Sequence, residues 1–285
     1  MEHVTDLDLS SGARTSVVGV DAGGEGDPVV VLLPALGVAV GYYGPFAAAL
    51  AREGVATLTA DFPGQGTSRP VASRHHDFGY AVVSDEVVAG TVAVARERYA
   101  GRPLAFVGHS FGGQVAMVHL ATHSSGVAAL VLIGSGSPYW RGFPQRVKLL
   151  AQTQTLSAVT ALRGHWPGHR LGFGGRQPRR LIREWARFAR RGALVVERGD
   201  EVTEPDFARI DVPVLAVTLD NDPLAPRGSV DNLTDKLAGA RVEHRFSTRP
   251  DGEEGPAFDH FVWARHPGGF AREVAGWVRS AVRPG

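Results

Sequence analysis

Gly108-His109-Ser110-Phe111-Gly112-Gly113 follows directly on the apolar run Pro103-Leu104-Ala105-Phe106-Val107 and leads into Gln114-Val115-Ala116-Met117-Val118-His119-Leu120. The pattern is G-x-S-x-G, and its flanks predict strand, tight turn, helix. That succession narrows the possible folds sharply. A serine at the tip of such a turn takes a strained backbone conformation, and side chains two before and two after it would collide, so Gly108 and Gly112 relieve the crowding. The turn lifts the Ser110 hydroxyl above the sheet and aims the first N–H groups of the following helix at whatever the hydroxyl attacks. The chain has 36 glycines, so the bare motif also reads as a glycine-rich βα turn with a surface serine. The flanking strand and helix weigh against that reading.

Short β-like runs alternate with helical segments along the chain, the sign of a mostly parallel sheet with helices on both faces. Val29-Val30-Val31-Leu32-Leu33 is a continuous apolar run suited to a buried strand, and Val55 to Ala60 and Val127 to Ile133 are further strands. Phe46 to Arg52 and Tyr80 to Tyr99 have helical spacing. The rhythm lapses over 136–205, which holds Trp140, Trp166, Trp185 and many arginines and no obvious buried strand. It returns with Val212 to Leu219, a helix near Val230 to Ala238, the strand Arg241 to Phe246 and a helix over Phe270 to Val282. The expected architecture is an α/β core formed by 1–135 and 206–285, with 136–205 inserted as a helical cap over the C-terminal edge of the sheet. The alternative for 136–205 is a plain helical connection.

Bulk properties remove several classes. The formal net charge of +1 gives no reason to invoke nucleic acid. No apolar run approaches the ~20 residues of a membrane span. The acidic start Met1-Glu2-His3-Val4-Thr5-Asp6 lacks the basic and apolar regions of a secretory signal. With no cysteine there is no disulfide, thiolate metal site or cysteine nucleophile, and the expected location is the cytoplasm. His75-His76-Asp77 looks like a metal cluster, yet adjacent histidines in a polar loop are usually solvated, so no metal or cofactor is expected.

A serine hydroxyl is a poor nucleophile at neutral pH. It needs a base within hydrogen-bond reach, and the base needs an acid to fix its tautomer and stabilise its cation. In a parallel α/β sheet these partners belong on loops after later strands, in the order Ser, acid, His. The strand ending at Leu219 is followed by Asp220-Asn221-Asp222-Pro223-Leu224-Ala225-Pro226, and the strand near Phe246 leads to Phe258-Asp259-His260-Phe261-Val262-Trp263. The order is the expected one. His109 is the rival base by proximity, but a side chain next to Ser110 should point away from it into the sheet.

With these residues the chain resembles the α/β-hydrolase superfamily over about 25–135 and 205–285. Asp61-Phe62-Pro63-Gly64-Gln65-Gly66-Thr67-Ser68 looks like its D-x-x-G-x-G-x-S turn, and His260-Phe261 with Trp263 and Arg265 looks like its histidine loop. Within the superfamily it looks closest to a little-characterised bacterial group of predicted hydrolases with a Pro-Ala-Leu-Gly start and a cap rich in Gly, Pro, Arg and Trp. The resemblance implies Ser110 as nucleophile, His260 as base and Asp222 as acid. Asp222 is preferred because Pro226 lies four residues on, and Asp220, nearer the strand end, stays its competitor. Many members carry His-Gly after the third strand where this chain has Pro34-Ala35-Leu36-Gly37. The oxyanion donor there is a backbone N–H, so Leu36 can supply it beside the N–H of Phe111.

Tyr42, Tyr43, Trp140 and Trp166 fall near predicted loop or cap edges, where they either line an apolar acyl pocket or pack the cap onto the core. Arg163, Arg170, Arg176, Arg179, Arg180, Arg183, Arg187, Arg190 and Arg191 read as a solvated helix face or as a site for an anionic or carrier-bound substrate. The expected function is a serine hydrolase acting on a small-molecule ester, thioester or amide. The alternatives are a lyase or cyclase reusing the scaffold, and a catalytically silent binding module, which would normally have lost a triad member.

Overall fold

A computed structural model describes residues 1–172, 174–247 and 255–283. The chain opens with an antiparallel pair, β1 (Glu2–Asp8) and β2 (Arg14–Val20), which the sequence reading left out. Their charged, partly exposed residues place them at the margin of the sheet. Then come β3 (Val29–Leu33), a 3-10 turn at Val40–Tyr43, α1 (Gly44–Arg52) and β4 (Ala56–Ala60). The helix predicted over Tyr80 to Tyr99 is α2 (Tyr80–Val82) and α3 (Ala89–Arg98), joined by a wider π-helical turn at Val83–Val88. β5 (Leu104–His109), α4 (Phe111–Thr122) and β6 (Val127–Ile133) follow.

Between β6 and the next sheet strand lies the insertion. It carries α5 (Arg146–Arg163), β7 (His165–Pro167), α6 (Gly168–Leu171), β8 (Arg176–Pro178), α7 (Arg179–Arg191), β9 (Val196–Arg198) and β10 (Glu201–Thr203). The core resumes with β11 (Val214–Leu219), α8 (Arg227–Thr234), β12 (Val242–Ser247), α9 (Val262–Arg265) and α10 (Phe270–Ala281).

Eight strands form the sheet in the order β1-β2-β4-β3-β5-β6-β11-β12. β2 pairs antiparallel with β4, and from β4 to β12 every pairing is parallel. All residues of β3, β4, β5 and β11 are buried, as mostly apolar strands covered by helices on both faces must be, the polar exceptions being Thr57, Thr59, His109 and Thr218. The pleat divides the core. Val29, Val31 and Leu33 pack with Val92 of α3 and Val115 of α4, while Val30 and Leu32 pack with Phe46 of α1 and Val274 of α10.

Beside its helices this segment holds two short antiparallel ribbons, β7–β8 and β9–β10. Its own cluster is Leu156, Trp166 and Ile182, while Leu181, Phe188, Leu194 and Val196 join the main core. Main-chain bonds fasten α7 to the segment before α2. Asp77 Oδ1 accepts the Arg180 N–H at 2.8 Å and the Phe78 carbonyl accepts the Leu181 N–H at 3.0 Å. Glu184 Oε2 accepts the Tyr80 N–H at 2.9 Å. No described helix is long and apolar enough to cross a membrane.

Candidate active site

Ser110 sits between β5 and α4 at φ 53°, ψ −118°, the one non-glycine with positive φ among the described residues. Such a conformation costs about 1–3 kcal/mol and persists where its surroundings enforce it. Here the Ser110 N–H donates to the Ile133 carbonyl of β6 and its carbonyl accepts the Gly113 N–H, both at 3.0 Å. A Cβ at Gly108 would lie 2.5 Å from Gly113 Cα, and one at Gly112 would lie 2.2 Å from the Leu33 carbonyl oxygen. Both glycines of the motif are therefore required by backbone contact.

Asp222 and His260 meet at the ends of neighbouring strands. His260 Nδ1 lies 2.7 Å from Asp222 Oδ2, and both residues are buried. The other carboxylate oxygen accepts the N–H groups of Leu224 at 2.9 Å and Ala225 at 3.0 Å. The carboxylate is thus held on both oxygens, and Nδ1 of His260 is the donor in their contact. The Trp263 indole N–H donates to the His260 carbonyl at 3.1 Å. Gly134, at φ 51°, backs the pair: a Cβ there would stand 3.0 Å from Asp222 Oδ2 and 3.4 Å from His260 Nδ1. Ser110 hangs on Ile133, the residue before Gly134, so the turn after β5 and the Asp222–His260 pair lie at the same end of the sheet. Among the described residues no hydrogen bond joins the Ser110 side chain to His260.

Asp220 is exposed. Asp259, though adjacent to His260, accepts the N–H groups of Phe261 and Val262 and so caps α9. The segment 248–254, on the way to His260, lies outside the described residues.

The Pro34-to-Val40 loop is held almost atom by atom. Ala35 N–H donates to the Tyr43 hydroxyl at 2.9 Å and Gly37 N–H to Gln65 Oε1 at 2.9 Å. Val38 N–H donates to the Ala35 carbonyl at 3.1 Å and Val40 N–H to Asp61 Oδ1 at 2.8 Å. Among the described residues the Leu36 N–H, in the middle of this series, has no acceptor. Phe111 is the first residue of α4, so its N–H has no intrahelical acceptor either. The close approach of Gly112 to Leu33 brings these two segments side by side. The ribbon tip of the insertion lies on the same loop: a Cβ at Gly37 would come within 2.3 Å of the Gly174 carbonyl carbon. Gln65 was not singled out from the sequence. Its place inside the D-x-x-G-x-G-x-S turn was the available signal.

The four aromatics expected near the site divide into two pairs. Tyr42 is half-buried and donates to the Phe261 carbonyl at 3.2 Å, with the Arg265 guanidinium 5.3 Å from its ring centroid. Trp140 is half-buried at the start of the insertion with Arg141 over its ring at 5.2 Å. Tyr43 is fully buried and Trp166 nearly so, against Leu156 and Ile182. As lining for an open pocket these two are corrected to packing residues, because their rings are enclosed by their own neighbours.

The arginine cluster is largely occupied. Arg183 and Arg187 both bond Glu197, Arg179 lies 3.6 Å from Asp77, Arg176 Nε donates to the Ala72 carbonyl at 2.6 Å and Arg190 to Gln154 at 3.0 Å. Burial pushes Glu197 up, but Arg183 and Arg187 outweigh it and hold its carboxyl below the usual range. Arg176 and Arg179 tie the insertion to the segment before α2, and Arg183, Arg187 and Arg190 bond partners within it. Two buried acid–base groups were invisible in the sequence. Burial raises Glu184 to about 7, and burial, with His260 as a second cause, drives His109 well below the ordinary histidine value.

A model of the alpha/beta hydrolase family matches residues 30–273. No curated protein matches the chain. Among solved structures it is similar to a thermostable carboxyl esterase from Bacillus coagulans in complex with glycerol, at 15% identity and a TM-score of 0.66, covering 99% of this chain and 100% of that one. It is also similar to an esterase from Exiguobacterium antarcticum, at 19% identity and a TM-score of 0.56, over 98% and 100% of the two chains. A third likeness is to an enol-lactonase from Burkholderia xenovorans, at 16% identity and a TM-score of 0.55, over 96% and 99%. At these identities the structures speak for the fold.

Proposed function

The chain belongs to the alpha/beta hydrolase family, and from that premise we propose that it is a serine hydrolase cleaving an ester, thioester or amide through an acyl-enzyme. The observation that carries this reading is the buried Asp222–His260 pair, bonded at 2.7 Å beside the strained Ser110 turn. Asp222 accepts a hydrogen bond from the His260 Nδ1–H, which keeps that hydrogen on Nδ1 and leaves Nε2 to remove the Ser110 proton as Oγ attacks the acyl carbon. Resting enzymes often leave that last hydrogen bond open until substrate arrives. The carbonyl electrons move onto oxygen, where the N–H groups of Leu36 and Phe111 stabilise them by roughly 3 kcal/mol each. Protonated His260 then gives its proton to the leaving group. In the second half water attacks, His260 takes its proton and returns it to Ser110 Oγ as the acyl–oxygen bond breaks, freeing the acid product. The insertion acts as a cap, and Tyr42 and Trp140, half-buried at its margin, border the path of a small acyl substrate. No step calls for a cofactor.

Incubation with a fluorophosphonate, followed by intact mass and peptide mapping, tests the reading. One adduct on Ser110, absent from Ser110→Ala, together with turnover of simple acyl esters, is expected. A wild-type protein that is folded yet neither labelled nor active on such esters would favour the lyase or cyclase alternative.

A further inference from the structure

His109, beside the nucleophile, is fully buried, and its ring stands 4.8 Å from that of His260. Its Nδ1 lies 2.7 Å from the Tyr43 hydroxyl, which also accepts the Ala35 N–H. One hydroxyl therefore touches both the loop that carries Leu36 and the ring that backs His260. We propose that Tyr43 is a positioning residue that holds the Leu36 N–H and the His260 imidazole in register, acting through Ala35 on one side and His109 on the other. This rests on the serine-hydrolase reading above.

The proton count fixes the direction of the bonds. Burial raises the Tyr43 hydroxyl above its ordinary value, so it keeps its hydrogen. With one lone pair taken by Ala35, that single hydrogen goes to His109 Nδ1. His109 is then neutral with its hydrogen on Nε2, a buried atom with no hydrogen-bond partner among the described residues, so its ring meets His260 through packing. The ring is clamped as well. The Trp263 indole meets His109 edge-on at 5.1 Å, and Tyr43 lies 5.8 Å from His109 and 6.2 Å from Trp263. Trp263 in turn holds the His260 carbonyl. A neutral, immobile ring at 109 leaves His260 free to take up charge during proton transfer, whereas a second cation at this distance would oppose it.

Removing the Tyr43 oxygen leaves the Ala35 N–H and His109 Nδ1 buried without partners while the ring packing stays. Displacements of about 1 Å at a reacting centre cost on the order of 100-fold in rate. Tyr43→Phe should therefore lower kcat on a minimal acetyl ester by about 10–100-fold with KM changed by less than about threefold, and should slow fluorophosphonate labelling of Ser110 in parallel. His109→Asn, whose amide oxygen stands in for Nδ1 as acceptor, should retain about tenfold more kcat than His109→Leu. A Tyr43→Phe protein with a lowered Tm but kcat within about twofold of wild type would make Tyr43 a packing residue and overturn the proposal. Equal losses in His109→Asn and His109→Leu would break the link through His109. A wild-type enzyme that fails to label at Ser110 would instead defeat the hydrolase reading, so the two failures are distinguishable.

Discussion

Gly112 and Asp222 carry the most specific demands at the scale of single residues. Gly112 lets the start of α4 touch the end of β3, and a methyl there would meet the Leu33 carbonyl oxygen at 2.2 Å, a backbone atom that cannot rotate away. Gly112→Ala should push α4 off β3, spread the Leu36 and Phe111 N–H groups apart, and lower kcat by at least about tenfold while also lowering Tm. Thermal melting and ester turnover on the same preparation check it, and full activity would remove the need for that contact. Asp222→Asn keeps an oxygen for the Leu224 and Ala225 N–H groups but presents an NH₂ to His260 Nδ1, which forces the wrong tautomer. The corresponding change in the serine-protease triad costs about 10⁴ in kcat, and a loss of that order is expected here. Asp220→Asn, at an exposed position, should stay within a few-fold of wild type. The reverse order would move the acid to Asp220. The sequence could point to Asp222 because Pro226 marks the turn in which the Ala225 N–H folds back onto the carboxylate. It could not reveal Tyr43 as a bridge, because a hydroxyl shared between residues 35 and 109 leaves no local pattern.

Among the elements, the strands buried on both faces and the helices between them were legible, since an unbroken apolar run has few other places to go. β1 and β2 were not, because mixed charged and apolar residues at a sheet margin resemble a loop. The ribbons β7–β8 and β9–β10 have three residues per strand, too few for any periodicity to register. Helix α7 shows a further limit. Its Glu184 is buried, with Oε2 accepting the Tyr80 N–H at 2.9 Å and Oε1 accepting the Glu197 N–H at 2.8 Å. Burial outweighs those bonds and raises its pKa from 4.5 to about 7. Folding therefore favours the protonated acid. Its contribution is full below about pH 4.5 and is lost as pH rises toward 7, a change on the order of 3 kcal/mol. His119 works in the opposite sense lower down, since burial depresses it to about 4. The useful quantity is thus the difference between wild type and Glu184→Gln. The variant's Tm relative to wild type should rise between about pH 5 and pH 7 and level off above that, because only wild type loses the term. A constant difference across that range would show that Glu184 does not titrate on folding there.

The balance of charge belongs to the molecule as a whole. From Arg98 to Arg183 the chain contains no aspartate or glutamate, and read along the sequence this stretch and the arginines after it form a one-sided positive field. Two answers come from elsewhere in the chain, Asp77 reaching Arg179 from before α2 and Asp85 of the π-helical turn pairing with Arg198, and a third is local, Glu197 of β9 taking both Arg183 and Arg187. Partners 102 and 113 positions apart, as 179 − 77 and 198 − 85, cannot be seen from a local charge count. Asp77 and Asp85 tie this segment to the core through Arg179 and Arg198, while Glu197 balances Arg183 and Arg187 within the segment itself. Replacing Arg183 and Arg187 together with Gln strands Glu197, whose side chain is 10% exposed. Because Arg183 is half exposed, the loss should be nearer 1–2 kcal/mol than the ~3–5 of a fully buried pair, or roughly 2–8 °C in Tm. KM for an anionic ester and for its neutral analogue should stay equal in wild type and variant alike, from about 50 to 500 mM salt, since a pair spent on Glu197 offers no field to screen. A KM that rises in the variant for the anionic ester alone, with wild-type preference fading as salt increases, would return the cluster to the mouth of the site.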